Sequence, residues 1–156
     1  MKLPDRASAQ AANALGNRAL AAGDARAARA HFEQGVAADP GQPALLFNLA
    51  AACRGCGDDV GTLAALDAAL AADPYFVQAL FQKAVTLEDI GDEPGAARIY
   101  RNFLDTAPAE VLGYKRFAAP RARARAAIDQ DLVSFCDTRP QIGAPPSTRM
   151  AEAIAS

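Results

Sequence analysis

The 156-residue sequence has few of the side chains that build catalytic or metal sites. It contains one histidine and three cysteines, with no glycine-rich phosphate loop, no Gly-x-Ser-x-Gly elbow and no His-x-x-x-His pair. Because it has no catalytic constellation, we predict that the chain is not an enzyme and uses no cofactor. Aromatic residues make up only 6% of the chain, and alanine dominates its apolar residues. The core should therefore be thin and should depend on its few large side chains.

Cysteines are scarce, but two of them, Cys53 and Cys56, have the spacing of a redox or metal-binding pair. Tetrahedral zinc would need two further thiol or imidazole ligands, and only His31 and Cys136 stand elsewhere in the chain. A redox pair is expected beside a βαβ unit, whereas this pair ends a predicted helix. We therefore interpret the cysteines as structural and His31 as a helix-surface residue, and we predict no metal site.

Long apolar runs are also missing. No stretch approaches the ~20 apolar residues that cross a membrane, and no apolar run follows Lys2 and Arg6 as a secretory signal requires. Residues 1–110 carry 9 basic and 14 acidic side chains, an unfavourable balance for binding phosphates. The sequence therefore predicts no nucleic-acid or membrane partner and, with three cysteines and no secretory signal, a cytoplasmic location. Its alanine and arginine bias is typical of bacteria with GC-rich genomes.

What the chain does contain is a repeat of 34 residues. Gly-Asp pairs, a large apolar residue and a proline each return on this period, at Gly23-Asp24, Gly57-Asp58 and Gly91-Asp92, at Phe32, Leu66 and Tyr100, and at Pro40, Pro74 and Pro108. Glycine just past a helix end closes the last turn, aspartate caps the next helix, and proline ends it. Each unit is thus predicted to form two helices of about 12–15 residues, which must stack on neighbouring units to bury their apolar faces.

On these residues the chain resembles the tetratricopeptide repeat (TPR) family, with repeats over 9–42, 43–76 and 77–110. Three places that are small in the family, because helices approach closely there, are occupied by Gly16, Ala50 and Ala84, by Ala28, Thr62 and Ala96, and by Gly35, Ala69 and Phe103. The resemblance implies an all-α fold, a right-handed α-solenoid of three TPR-type helical hairpins plus C-terminal capping helices. Because Phe103 breaks the pattern of small residues, we expect the segment after it to pack differently from a fourth repeat.

The pattern predicts one helical-repeat domain over 1–136 and a linker and terminal segment over 137–156, which could begin a further domain. The repeat helices are predicted near 8–21, 25–37, 43–54, 60–71, 76–90 and 94–106, with Ser8 as the first cap. Two capping helices over 109–118 and 121–136 are broken at Pro120, and the second carries an apolar stripe of Ile128, Leu132 and Phe135. We interpret the basic run around it as a solvated surface: Lys115, Arg116, Arg121, Arg123 and Arg125.

The resemblance places the functional surface in a concave groove that is lined by the first helix of each repeat. The corresponding residues here are Gln10, Asn13, Asn17, Leu20, Ala44, Phe47, Asn48, Ala51, Arg54, Gln78, Phe81, Gln82, Val85 and Glu88. Amides and rings together suit an extended or helical peptide, because amides bond its backbone and rings accept its apolar side chains. The alternative is that Phe47 and Phe81 are packing residues only.

One TPR subfamily holds the C-terminal carboxylate of chaperone tails with a set of three cations and two amides. Asn17 and Asn48 match the two amide places, but the three cationic places hold Asn13, Gln78 and Gln82. A carboxylate gains far less without charge-assisted donors. We therefore do not expect this chain to bind chaperone tails.

Two functions remain. The first is a protein–protein interaction module that binds a peptide or partner domain in its concave groove. The alternative is the N-terminal TPR module of a longer enzyme, an aspartyl/asparaginyl β-hydroxylase-like oxygenase, truncated before its catalytic domain. The order of repeats, an arginine- and alanine-rich helix and a proline-rich linker resembles that arrangement. The iron site of such an oxygenase needs two histidines and a carboxylate, so it would have to lie outside these residues.

Overall fold

A computed structural model describes residues 3–108, 115 and 118–137 of the protein. Seven helices and no strand occur among these residues: α1 Arg6–Ala21, α2 Ala25–Ala38, α3 Pro43–Gly55, α4 Asp59–Ala72, α5 Val77–Asp89, α6 Glu93–Thr106 and α7 Ala118–Asp137. The first six form three hairpins that stack through α2 on α3 and α4 on α5, and α7 packs on α6. The predicted all-α solenoid of three helical hairpins is confirmed, with one capping helix inside the described residues.

The Gly-Asp pairs build the turn inside each hairpin. The three glycines have positive φ angles of 80°, 73° and 85°, in the left-handed region that ends a helix. The aspartate after each glycine then accepts a hydrogen bond from a backbone amide in the first turn of the next helix. These bonds run from Ala27 to Asp24 at 2.9 Å, from Gly61 to Asp58 at 2.8 Å and from Gly95 to Asp92 at 3.0 Å.

Two predicted helix boundaries are wrong. Asp5, rather than Ser8, caps α1, because its carboxylate accepts from both the amide and the hydroxyl of Ser8, at 3.1 and 2.6 Å. Pro120 does not break a helix, because it lies in the first turn of α7, where a proline displaces no backbone hydrogen bond. Most of the predicted capping helix over 109–118 and nearly all of the terminal segment lie outside the described residues.

The core consists of three clusters that run along the array. Phe32, Leu66 and Tyr100 are completely buried, one in each cluster. Phe103, also completely buried, joins Tyr100 in the third cluster, and α7 closes that cluster with Ala124.

The predicted apolar stripe of α7 is wrong in part. Ala124 is fully buried, and Ala127 and Ile128 pack against the third cluster, whereas Leu132 is 52% exposed. The helix therefore covers the end of the array with small residues near its middle, and the side chain of Phe135 lies outside the described ones.

Among the described residues, no helix combines the length and apolar character that a membrane crossing needs.

Candidate functional site

The first helices of the three hairpins lie next to one another, and we call the surface of α1, α3 and α5 the inner face. Two hydrogen bonds tie these helices together across the repeats. Asn48 on α3 donates its side-chain amide to Asn13 Oδ1 on α1 over 2.9 Å. Arg54 at the end of α3 donates to Asp89 Oδ2 at the end of α5 over 3.3 Å. The three helices of the inner face are therefore linked to one another by polar side chains.

A pocket of about 340 Å³ opens on the inner face between α3 and α5. It is lined by Phe47, Ala51, Arg54, Gly55 and Gln82. Four of these residues belong to the predicted groove, and only Gly55 was not predicted. The ring of Phe47 is half-buried and packs against Phe76, with the ring centres 5.3 Å apart. The pocket thus combines a fixed apolar wall with a carboxamide and a guanidinium.

Gln82 carries a hydrogen-bond donor that the protein leaves unused. Its Nε2 atom is covered from solvent and has no hydrogen-bond partner among the described residues. Leaving such a donor unpaired costs about 1–3 kcal/mol in lost hydration. Most buried polar side-chain atoms in proteins are paired, so this donor is an exception.

The cations near the inner face are neutralised by carboxylates. Arg54 pairs with Asp89, as described above, and Lys83 on α5 pairs with Asp67 on α4. A guanidinium that already faces a carboxylate attracts an incoming anion only weakly. The pocket and its surroundings are therefore close to neutral, although they contain charged residues.

The C-terminal end of the inner face is engaged by α7. Glu88 Oε2 accepts a hydrogen bond from the Tyr100 hydroxyl at 2.8 Å and another from Arg123 Nε at 3.0 Å. Burial and this carboxylate raise the pKa of the Tyr100 phenol well above its ordinary value, so the hydroxyl remains a donor. Arg123 is exposed, as the prediction of a solvated surface has it, and in addition it joins α7 to α5.

The remaining predicted groove residues differ in exposure. Val85 is only 6% exposed and belongs to the third core cluster, so its placement in the groove is wrong. Phe81 and Leu20 are half-buried against core clusters, with the Phe81 ring centre 5.5 Å from that of Phe103. The exposed members are Gln10, Asn17, Ala44 and Gln78.

A simple spacing would have found the contacts that sequence reasoning missed. The bonds Asn13–Asn48, Arg54–Asp89 and Glu88–Arg123 each join residues 35 positions apart, one period plus one residue. Stacked repeats bring equivalent turns of successive helices together, so complementary polar residues at this offset are neighbours. The 35-residue spacing is visible in the sequence, but the groove prediction compared positions within each repeat and did not pair residues between repeats.

Cys53, Cys56 and His31 are not among the residues that line the pocket. Cys53 is buried and free, and burial raises the pKa of its thiol, whereas the free Cys56 is exposed at the end of α3. His31 is half-buried, and its covered Nδ1 finds no hydrogen-bond partner in the described part of the chain, so its placement on the helix surface is wrong in part. Within the described part of the chain, no group of three or more His, Cys, Asp or Glu side chains could hold a metal ion.

Comparison with solved structures identifies the architecture. The Yersinia enterocolitica type III secretion chaperone SycD, in complex with a peptide of the translocator YopD, is similar with a TM-score of 0.72 and 12% identity over 84% of this chain and 97% of that chain. The TPR2B domain of yeast Sti1, in a complex with pHsp70, has a TM-score of 0.70 and 20% sequence identity. The match covers 79% of this chain and 98% of that chain. The Sgt2 TPR domain from Aspergillus fumigatus has a TM-score of 0.69 and 18% sequence identity, over 94% of this chain and 95% of that chain.

These similarities concern the fold, since the identities are low. Neither a known family model nor a curated protein sequence matches the chain. The structural similarity nevertheless extends over most of this chain and almost all of each domain it is compared with. It agrees with the 34-residue period, the turn glycines and the stacked hairpins, and the chain has the fold of a tetratricopeptide repeat domain.

Proposed function

We propose that this chain is a protein-interaction module that binds a peptide or a partner domain on its inner face. The observation that carries the proposal is the pocket between α3 and α5, with its apolar wall and its polar side chains of Arg54 and Gln82. The structurally similar SycD was solved with a YopD peptide, and the first TPR domain of Spaghetti (RPAP3) with an HSP90 peptide. These complexes support the proposal by showing that folds of this shape accept peptides.

The contacts that we propose for the partner are the accessible residues of the inner face. They are Gln10, Asn13, Asn17, Phe47, Asn48, Arg54, Gln78 and Gln82, with Glu88 at the end that α7 covers. Leu20 and Phe81 would contribute only the edges that remain exposed. Because the places of the carboxylate clamp hold amides, we propose a partner other than an acidic chaperone tail. We also propose that the module acts in the cytoplasm, without a membrane or nucleic-acid partner.

Ala51 offers a test that separates binding from folding. Its side chain is exposed and lines the pocket, so Ala51→Gln fills the pocket and costs the helix little, since glutamine is a good helix former. The matched control is Ala68→Gln, the same change at an exposed position of α4. A partner captured by the full chain is titrated against each variant by calorimetry.

We expect Ala51→Gln to weaken binding by about tenfold or more, the effect of blocking one important contact. Ala68→Gln should bind like the parent, and both variants should melt like it. Parent-like affinity of Ala51→Gln for the captured partner would contradict the proposed surface.

The alternative, a module that precedes an oxygenase domain, rests on the order of segments alone. Sequencing the reading frame past Ser156 tests it directly. The alternative requires a downstream domain that supplies two histidines and a carboxylate for iron. A stop codon at that point would exclude it, and neither outcome alters the proposal for the inner face.

A further inference from the structure

We propose that α7 is a self-association surface, on which a second copy of this chain docks its own α7 in the antiparallel direction. The surface is the side of α7 that faces away from the array, and we call it the outer side of α7. Its members are all exposed and recur at helical spacing: Ala122, Arg125, Ala126, Asp129, Leu132 and Val133. None of them lines the pocket on the inner face, so this surface is separate from the one proposed above.

The C-terminal half of the outer side is apolar. Leu132 and Val133 are 52% and 61% exposed, whereas Ala124, on the opposite side of the helix, is completely buried in the third core cluster. A second surface that removes these two side chains from water gains stability from their burial. Single exposed apolar residues are nevertheless common in monomers, so the occupant must be identified by charge.

The charges of α7 are segregated along the helix. Three arginines lie in its first half and three aspartates in its second half: Arg121, Arg123, Arg125, Asp129, Asp131 and Asp137. The dipole of a helix favours the opposite order, with acidic residues near the N-terminus and basic residues near the C-terminus. This order therefore does not stabilise α7 itself. It does suit an antiparallel copy of the same helix, which presents aspartates to arginines and arginines to aspartates.

One unpaired cation and one unpaired anion remain on the outer side. Arg123 and Asp131 are already neutralised by residues of α5 and α6. Arg125 and Asp129 lie four residues apart, yet they form no ion pair with each other or with any other described residue. An arginine that precedes an aspartate is the less favourable order for such a pair within one helix. Both side chains can therefore face an opposite charge on another molecule.

One register satisfies charge and size together. When two α7 helices lie antiparallel, with their contact centred near the middle of the helix, Arg125 of one copy lies opposite Asp129 of the other. In the same register Ala122 lies opposite Leu132 and Val133, so a small residue faces two large ones. Two-fold symmetry produces each contact twice and closes the dimer. Because each copy contributes only one helix, the dimer should be weak and should form as the concentration rises.

The test measures the mass of the full chain by sedimentation equilibrium over a range of concentrations. Arg125→Asp and Asp129→Arg each place like charges opposite one another. The double variant restores opposite charges and keeps the net charge of the parent. The matched control is Arg26→Asp, the same reversal at an exposed residue of α2.

A second pair of variants tests the apolar half of the outer side. Val133→Ser removes an apolar contact from the proposed surface, and Val60→Ser makes the same change at an exposed residue of α4. Circular dichroism checks that every variant remains helical, as expected for substitutions of exposed residues.

We expect the full chain to show a monomer–dimer equilibrium. Each single charge reversal should raise the dissociation constant of the dimer by about tenfold or more, because like charges then oppose one another twice. The double variant should return to within about threefold of the parent. Val133→Ser should weaken the dimer by about tenfold, whereas Arg26→Asp and Val60→Ser should associate like the parent.

Two results would overturn the inference: a full chain that stays monomeric at every concentration reached, or a dimer that ignores the single reversals or is not recovered by the double variant. If a chain that ends at Asp137 dimerised while the full chain did not, residues 138–156 and not a second copy would occupy the outer side, which also overturns it. None of these results concerns the pocket on the inner face, so the proposed function would stand.

Discussion

Phe32, Leu66 and Tyr100 hold the same place in the three hairpins, and each is completely buried. In the first hairpin, the size of this residue limits what the opposing helix can carry. A β-carbon on Gly16 would overlap the ring of Phe32, so α1 requires glycine where it faces this phenylalanine. In the second hairpin, where the smaller Leu66 is buried, Ala50 fills the equivalent place in the same cluster. These few large residues fill a core that is otherwise mainly alanine.

Truncation of one of these residues should be severe. We expect Phe32→Ala to lower the free energy of unfolding by ~3–5 kcal/mol, because it leaves a cavity in the first core cluster, whose surroundings can relax only partially. Urea denaturation measures the change as a shift in midpoint. The control is Tyr75→Ala, since Tyr75 is 75% exposed and its loss should change stability by less than ~0.5 kcal/mol. Equal midpoints for the two variants would contradict this account of the core.

The extent to which each inner-face side chain is buried could not be predicted from its repeat position. Phe81 is placed on the correct helix by the pattern, yet its ring lies 5.5 Å from Phe103 and 6.0 Å from Tyr100. Phe103 replaces the small residue of the other repeats, and Phe81 packs against its ring. Such a local repacking depends on three-dimensional neighbours that a single repeat position does not reveal. Phe81→Ala would consequently disturb folding, so it is unsuitable for testing binding alone.

At the scale of the elements, the six repeat helices were predictable because glycine, aspartate and proline mark their ends. The observed bounds lie within two residues of those predicted. The errors arose where a residue type allows two roles. Pro120 can end one helix or occupy the first turn of another, and Ser8 could cap α1 only if Asp5, three residues earlier, did not.

The contact between the first two hairpins depends on Gly35. A β-carbon there would lie 3.0 Å from Leu45 Cδ2 and 3.4 Å from Ala12 Cβ, so the space admits almost nothing larger than hydrogen. Leu45 belongs to α3 and Ala12 to α1. Gly35 on α2 therefore lies at the point where the first hairpin meets the second.

A graded pair of substitutions tests this contact. We expect Gly35→Phe to destabilise the array by ~1–3 kcal/mol or more, because a buried ring would force the hairpins apart. Gly35→Ala should cost less, because the Leu45 methyl groups can move slightly and alanine improves helix propensity. Thermal melting followed by circular dichroism compares the two variants with the parent. Unchanged stability in Gly35→Phe would argue against close stacking of the first two hairpins.

At the scale of the whole molecule, stacking leaves the third hairpin with an apolar side that no further repeat covers within the described residues. Phe103 and Tyr100 would be exposed there, yet both are completely buried. α7 provides the cover through Ala124, Ala127 and Ile128. Repeat arrays need such a terminal helix with a polar outer face to remain in solution. Its polar links to the array, Arg123 with Glu88 and Arg101 with Asp131, are exposed pairs that each contribute little stability.

Removal of α7 should therefore act through apolar exposure and not through the loss of ion pairs. We expect a chain that ends at Pro108 to melt at a lower temperature and to bind a hydrophobic dye, since burying one large apolar side chain contributes ~1.5–3 kcal/mol. A chain that ends at Asp137 keeps α7 and should match the parent in both measurements.

Arg123→Ala, which removes the link to Glu88 alone, should lower the free energy of unfolding by at most ~1 kcal/mol. If the chain ending at Pro108 melted like the one ending at Asp137, α7 could not be the cover of the third cluster. Because Arg123 also reaches a residue of the inner face, the same comparison separates the covering role of the helix from its polar contact with Glu88.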